Sequence, residues 1–375
     1  MQFNLQETTM IEAEKPAEKA RVGIDSYLDW VNQEGIPVVE SMAVDLFSVE
    51  TKPWARTGVN GAAVHLLGRG DFVNMFLFDL PPGAATTPQR HLYEEVIFVL
   101  AGRGNTTIEF EDGRKHSFEW GPKSIFAIPL NAKYRVFNGS GVESARMVST
   151  TNLPVMMNLL RSEKFIFDND FTFEERSGKE KYFTGDGDFV PGRPGTFMWE
   201  TNFIADSGAI ELRNWGERGG GGTTLKFALA DGTMNAHISE MPVGTYKKAH
   251  RHPADFHVLT IDGRGYSLLW YEGDQDFQRV DWKYGTVVAP LDNMFHQHFN
   301  ASPTPARYFA TALGSFRFPF TAGKRNALFG ALFKSVKEGG DQIEFEDQMP
   351  KVHDMFVEEM RAAGITMKMK EFDKK

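Results

Sequence analysis

Cysteine is absent from the chain, which excludes a disulfide framework, a thiolate nucleophile and a cysteine-ligated zinc site. Long apolar runs are missing too: no window approaches the roughly 18 apolar residues that a membrane-spanning helix needs. No basic run interleaved with aromatics occurs, and the acidic excess gives a formal net charge of −9. That balance argues against a polyanion-binding surface, so neither nucleic acid nor a membrane is an expected partner. The opening stretch MQFNLQETTMIEAEKPAEK has no basic start and no apolar core, so no secretory signal is read there. A cytoplasmic location is the expectation. Histidine is scarce, with ten residues in 375, yet three of the ten fall inside the segment KKAHRHPADFHVLTIDGRG, 247–265.

A chain of 375 residues is too long for one ordinary core, and two domains are expected. The sequence carries the sign of them. NMFLFDLPPGAATTPQRHLYEEVIFVLAGRG (74–104) aligns without a gap to NAHISEMPVGTYKKAHRHPADFHVLTIDGRG (235–265). At a constant offset of 161, Asn74, Pro81, Gly83, Arg90, His91, Gly102, Arg103 and Gly104 meet Asn235, Pro242, Gly244, Arg251, His252, Gly263, Arg264 and Gly265. Further on, WGPKSIFAIPLNAKYRVFN (120–138) matches YGTVVAPLDNMFHQHFN (284–300) with small length changes. The chain is read as a tandem duplication.

Each copy reads as β. Short β-branched or aromatic runs such as EEVIFVLAG and NTTIEFED are broken by Gly-Arg-Gly, and turn signals recur at spacings that suggest a sandwich or barrel. Helical periodicity is nearly confined to the ends. DSYLDWVNQEG closes on Gly35, and MPKVHDMFVEEMRAAG carries Pro350 in its first turn, Val352, Phe356 and Met360 on one face, and Gly364 as its stop. The run WGERGGGGTT (215–224) lacks the Gly-Lys-Ser/Thr ending of a phosphate-binding loop and reads as a surface loop.

His-x-His on a strand puts both rings on one face, and a third histidine from a distant strand completes one side of a coordination sphere. His250, His252 and His296 fit that role. At these residues the chain resembles a bicupin. The cupin family's first motif, Gly-x5-His-x-His-x3 or x4-Glu-x6-Gly, is matched by Gly244, His250, His252 and Gly263. Its second motif, Gly-x5-Pro-x-Gly-x2-His-x3-Asn, is matched by Gly285, Pro290, His296 and Asn300. The first copy carries Gln89, His91, Glu95 and Tyr134 in place of the full ligand set, so it is expected to be metal-free or weakly metal-binding. In the second copy the family's Glu is missing. Its position is Phe256 by the ungapped alignment and His257 by the longer spacing, which leaves His257 as a fourth ligand or a partner behind the ligands.

The resemblance implies an all-β fold of two tandem double-stranded β-helix (jelly-roll) barrels with a few peripheral helices. The expected organisation is an N-terminal arm with a helix and leading strands (1–69), a first barrel (70–152), a crossover with the leading strands of the second unit (153–229), a metal-bearing second barrel (230–316) and a C-terminal tail with a helix (317–375). A neutral three-histidine site leaves a divalent ion's charge to be balanced by an anionic substrate. Three histidines without a carboxylate resemble the gentisate and salicylate ring-cleaving dioxygenases and the diketone-cleaving dioxygenase. They imply ferrous iron, dioxygen and a small aromatic or enolisable acid.

His298 is read as a base or oxygen-orienting group or as a barrel-mouth histidine bonded to a backbone carbonyl, and Arg307 as a bidentate partner of a substrate carboxylate or as an outward-facing arginine. Phe256, Trp270, Phe295 and Phe299 are read as apolar walls of the site or as core rings, with His237 nearby. The competing classes are a non-oxidative zinc or manganese enzyme (isomerase, lyase or hydrolase) and a binding module without turnover. A homo-oligomer, a dimer by expectation, covers the exposed sheet edges.

Overall fold

The computed structural model describes residues 23–68, 71–191, 197–214, 216–252, 256–315, 317–318 and 333–369. The N-terminal stretch read above as carrying no signal, and Trp215 at the head of the glycine-rich run, lie outside them.

The fold is all-β: two double-stranded β-helix barrels with a few peripheral helices, the bicupin architecture. In the first barrel a large sheet sets Val59–Leu66, Asn74–Leu80, Ala145–Thr151, Glu95–Ala101 and Ile125–Ile128 side by side. It faces a small sheet of Lys133–Asn138, Gly104–Glu109 and Lys115–Trp120. The second barrel repeats this with Thr223–Leu229, Met234–Met241, Ala306–Leu313, His257–Asp262 and Thr286–Val288. These face Gln278–Lys283, Arg264–Trp270, Phe295–Asn300 and Ala249–His250. The Gly-Arg-Gly turns are demanded by crowding: a Cβ on Gly104 would strike the carbonyl of Phe137 and the ring of Trp120, and one on Gly265 would strike the carbonyl of Phe299 and the ring of Trp282.

The barrels exchange strands. Ala43–Asp45, which precedes the first barrel, pairs with Thr286–Val288 of the second. Phe203–Ile204, which precedes the second, pairs with Ile125–Ile128 of the first. Strand Val59–Leu66 pairs with Asn74–Leu80 within one sheet, so the segment before residue 70 is part of the first barrel's wall. Between the large sheets lies a core drawn from both copies, including Phe98, Leu259, Ile261 and Phe309, with Phe98 and Phe309 stacked at 6.2 Å.

The two interiors differ. The first barrel is filled by a cluster including Ile97, Val99, Phe118, Phe126 and Val136. The second has a small apolar cluster around Met241, Trp282 and Tyr308, and beside it a cavity lined by histidines and cations as well as by Phe256, Val258 and Ala310. At the ends of the chain, Asp25 caps the helix Ser26–Gln33 by accepting from the backbone N–H of Tyr27 and Leu28. The helix Pro350–Ala363 buries Val352, Phe356 and Met360 and stops at Gly364, whose φ is 67°. It lies on the outer face of the second barrel's small sheet, against Trp270, Phe295 and Phe299. No described helix is long and apolar enough to cross a membrane.

Candidate metal centre

Two neighbouring strands carry the histidines. His250 pairs directly opposite His296 between Ala249–His250 and Phe295–Asn300, and His252 follows two residues on. The Nε2 atoms of His250 and His296 are 3.1 Å apart, and one ring nitrogen from each of His250, His252 and His296 lies within 4.8 Å of the others. Two imidazoles on one ion at a bond length of about 2.1 Å and a right angle stand about 3.0 Å apart, so the spacing fits shared ligation. In both rings the other nitrogen faces a backbone carbonyl: Nδ1 of His250 that of Lys248 (3.3 Å) and Nδ1 of His296 that of Met294 (3.2 Å). This arrangement selects the tautomer that presents a lone pair at Nε2. Burial, reinforced by neighbouring positive and imidazole charge, holds both pKa values well below the ordinary histidine value. The neutral form that a metal requires is therefore the stable one.

The triad opens into a cavity of about 80 Å³ whose lining includes Arg218, Lys226, His237, Phe256, His298 and Tyr308. His298 presents Nδ1 to the Ser267 hydroxyl at 2.7 Å, and that hydroxyl accepts from Nε1 of Trp282 at 3.0 Å. Burial lowers the pKa of His298 to about 3 and that of His237 to about 3.

His257 does not join the three. On the strand His257–Asp262, Val258 lines the cavity, whereas Leu259 and Ile261 belong to the core between the barrels. Alternation places His257 on the latter side. No bulge intervenes before Thr260, so the inward turn that a fourth ligand needs does not occur. The ring is fully buried, and neither nitrogen has a hydrogen bond of ordinary geometry.

Arg307 likewise faces away from the cavity-lining Tyr308 beside it. Its Nε donates to Glu240 and its Nη1 to the carbonyls of Ser207 (3.1 Å) and Ile210 (3.0 Å). The duplication explains why. Arg146, 161 positions earlier, donates to Asp79 and to the carbonyls of Leu46 and Val49, each the counterpart of an Arg307 partner at the same offset. Arg307 is thus held in a repeated framework contact that ties the exchanged segment to its barrel.

Of the four expected wall rings only Phe256 lines the cavity. Trp270, Phe295 and Phe299 pack under the C-terminal helix: His296 and His298 face inward, so Phe295 and Phe299 cannot, and Trp270 stands opposite Phe295 in the neighbouring strand, on the same face.

The polar residues missed in the sequence come from elsewhere. Arg218, within the glycine-rich run read as a surface loop, is only 4% exposed. The loop turns back through Gly219, Gly220 and Gly221, all at positive φ near 65°, and a Cβ on Gly220 would strike the carbonyl of Tyr246. Lys247, 1% exposed, donates to the Tyr308 hydroxyl at 2.9 Å. Burial lowers the pKa of Arg218 to about 10 and that of Lys247 below its ordinary value. No carboxylate is among the described residues that line the cavity.

In the first barrel the equivalent place is closed. The Tyr134 hydroxyl donates to Glu95 at 2.6 Å, and His91 Nε2 stands 3.2 Å from the same oxygen and 3.3 Å from the hydroxyl. The amide of Gln89 is turned to the carbonyls of Arg56 and Thr87. Burial works against ionisation of Glu95, but the bonds from His91 and Tyr134 hold its pKa below the ordinary value. The space left there is about 20 Å³.

Residues 36–171, which cover the first barrel, match the family described as auxin binding protein. No curated protein matches the chain. Among solved structures the chain is similar to an oxalate decarboxylase studied for a structural element that modulates proton-coupled electron transfer (17% identity, TM-score 0.49, 73% of this chain and 77% of that one). It is also similar to the Lactobacillus farciminis oxalate decarboxylase formate complex (13%, 0.48, 73% and 86%). A third is a Bacillus subtilis oxalate decarboxylase studied for its Mn(II) centres (17%, 0.47, 74% and 78%).

Proposed function

We propose that the chain is a metal-dependent enzyme whose second barrel holds one divalent transition-metal ion on His250, His252 and His296. Its reaction is dioxygen-dependent carbon–carbon cleavage of a small enolisable acid, with ferrous iron as the ion. The observation that carries this is the pair of Nε2 atoms 3.1 Å apart, each fixed by a carbonyl behind its ring, in a cavity lined by cations and no described carboxylate. When bound, such an ion supplies Lewis acidity toward an oxygen anion and, as iron(II), electrons for dioxygen.

The protein supplies the rest. Three neutral ligands leave the double charge to be met by substrate, and Arg218 and Lys226 draw an anion to the same place. His298, bonded through Nδ1 to the Ser267 hydroxyl that Trp282 holds in turn, leaves Nε2 to exchange a proton with the substrate. A cavity of about 80 Å³ is smaller than the roughly 150 Å³ that accepts benzene in an apolar core, which favours a short acid over a hydroxybenzoate. A cytoplasmic homo-oligomer acting on a diffusible metabolite completes the reading.

The same three imidazoles suit zinc or manganese, and buried cations stabilise an enolate without oxygen. A non-oxidative isomerase, lyase or hydrolase is therefore the second reading. Metal analysis of anaerobically purified protein, followed by oxygen-electrode assays with β-dicarbonyls and keto acids, separates the two. Iron with oxygen uptake is the expected result. Zinc or manganese, with turnover but no uptake, overturns it in favour of the second reading.

A further inference from the structure

The hydroxyl of Ser267 meets Nδ1 of His298 at 2.7 Å and Nε1 of Trp282 at 3.0 Å. An indole N–H can only donate, so it occupies a lone pair of the serine oxygen. Ser267 is fully buried, and its side chain has no third partner among the described residues. Its own proton therefore goes to Nδ1, since the reverse arrangement leaves a buried donor unmet. With Nδ1 accepting, the neutral ring carries its proton on Nε2, as the imidazolium would too. Tyr308 is fixed in the same way. The Lys247 ammonium donates to its oxygen at 2.9 Å, the hydroxyl's one bond among the described residues, which leaves the phenol proton to be donated elsewhere. Both side chains line the histidine cavity. Their ring centroids are 5.6 Å apart, and that of His298 is 5.5 Å from the His296 ring. The first barrel keeps the indole-to-hydroxyl bond, from Trp120 to Thr106. Opposite Thr106 it has Val136 where Ser267 faces His298, and opposite Val99 it has Met147 where Thr260 faces Tyr308. The framework does not need the two donors; they stand in the barrel that carries the triad.

We infer that Nε2–H of His298 and the hydroxyl of Tyr308 form an oxyanion pocket beside the histidine triad, which receives the enolate oxygen of the substrate. Its ligand rests on the enolisable-acid reading above, whereas neither donor depends on the ion. Ser267 and Trp282 are the positioning residues: they fix the tautomer, so a donor already points to where charge develops and no reorientation is needed. Lys247 polarises the phenol and strengthens it as a donor. A neutral carbonyl oxygen accepts the same two bonds less well, because hydrogen bonds to an ionised acceptor are roughly twice as strong. The pair therefore discriminates by charge at a single oxygen.

Nitrogen NMR of isotope-labelled histidine in the zinc-loaded protein reads the tautomer, with His298→Val identifying the resonances. The proton is expected on Nε2, and Ser267→Ala should shift it partly to Nδ1. A wild-type ring with its proton on Nδ1 alone overturns the pocket. The same protein is then titrated with ethyl nitronate, an enolate mimic, and with neutral nitroethane, which has the same heavy atoms. Tyr308→Phe and His298→Val should each weaken nitronate binding about tenfold or more, while nitroethane affinity and bound metal stay within about twofold. Tyr308→Phe removes only a hydroxyl, His298→Val installs the first barrel's own residue, and thermal melting checks that both fold. Nitronate binding that survives both substitutions, or equal loss of the two ligands, overturns the pocket. A wild-type protein that takes up no zinc, yet prefers nitronate through these two donors, overturns the metal reading and leaves the pocket standing.

Discussion

The hydroxyls of Thr150 and Thr311 are hydrogen-bonded at 3.2 Å, and the two residues are each other's counterparts, 161 positions apart. A residue can touch its own duplicate only near the axis that relates the copies, so this bond marks a pseudo-twofold between the barrels. The exchanged strands and the Arg146 and Arg307 contacts obey the same relation. Differences between the copies are therefore differences that the framework tolerates, and those at the histidine cavity are among them.

Metal content follows from that contrast. His252→Ala or His296→Ala should reduce bound metal to less than about a tenth of the wild-type amount, as read by elemental analysis after dialysis, whereas His91→Ala should leave it near one ion per chain. Equal loss on His91→Ala would show that the first barrel also binds.

His298 has Val136 as its counterpart, while the Trp282–Ser267 bond is retained in the first barrel as Trp120 Nε1 donating to Thr106. His298→Val thus installs a side chain that this framework already accepts. Turnover should fall by about 10²- to 10⁴-fold with unchanged metal content and melting temperature. Unchanged turnover removes His298 from the chemistry.

Arg307→Ala should cost stability rather than chemistry. Loss of its bonds leaves Glu240 and two carbonyls unsatisfied, for about 1–3 kcal/mol, and Arg146→Ala should cost a similar amount. Urea unfolding of both variants, with metal content measured alongside, checks this. A stable Arg307→Ala protein that has lost only activity would restore the arginine to the site.

His257 predicts a pH dependence. Burial lowers its folded pKa to about 4, opposed only by the Gly68 backbone, whereas the unfolded chain has about 6.5. Between those values the unfolded state binds more protons, so stability is full above pH 6.5 and falls as pH drops toward 4, by about 3 kcal/mol. Urea denaturation of the metal-free protein at pH 7 and 4.5 should show a smaller loss for His257→Leu than for wild type. Identical losses would mean that the ring is not held neutral.

A dimer is the expected assembly. Among the described residues Asp188–Pro191 forms the edge of a nine-stranded sheet, and Phe189 and the neighbouring Phe197 are about half exposed beside it. Unpaired edges with apolar side chains invite a partner. Light scattering at micromolar concentration should give twice the chain mass, and a monomeric mass refutes the expectation.

The sequence by itself determined the duplication, the β architecture and the end helices. Turn glycines, strand periodicity and the helix stop at Gly364 are local requirements, and a constant offset survives in the text of the chain. It also held the His-x-His pair and its third partner, since a motif at fixed spacing on strands dictates a shared face. The outward turn of Phe295 and Phe299 was legible too, because period-two alternation follows once His296 faces inward. Tertiary structure alone decided the rest. Whether Phe256 or His257 faced the cavity depended on the register of their strand between Ala306–Leu313 and Thr286–Val288. The burial of Arg218 depended on a glycine loop folding back under Tyr246. The meeting of Lys247 with Tyr308, 61 residues away, needed barrel closure to bring a loop residue against a strand, and no local pattern encodes a contact of that range.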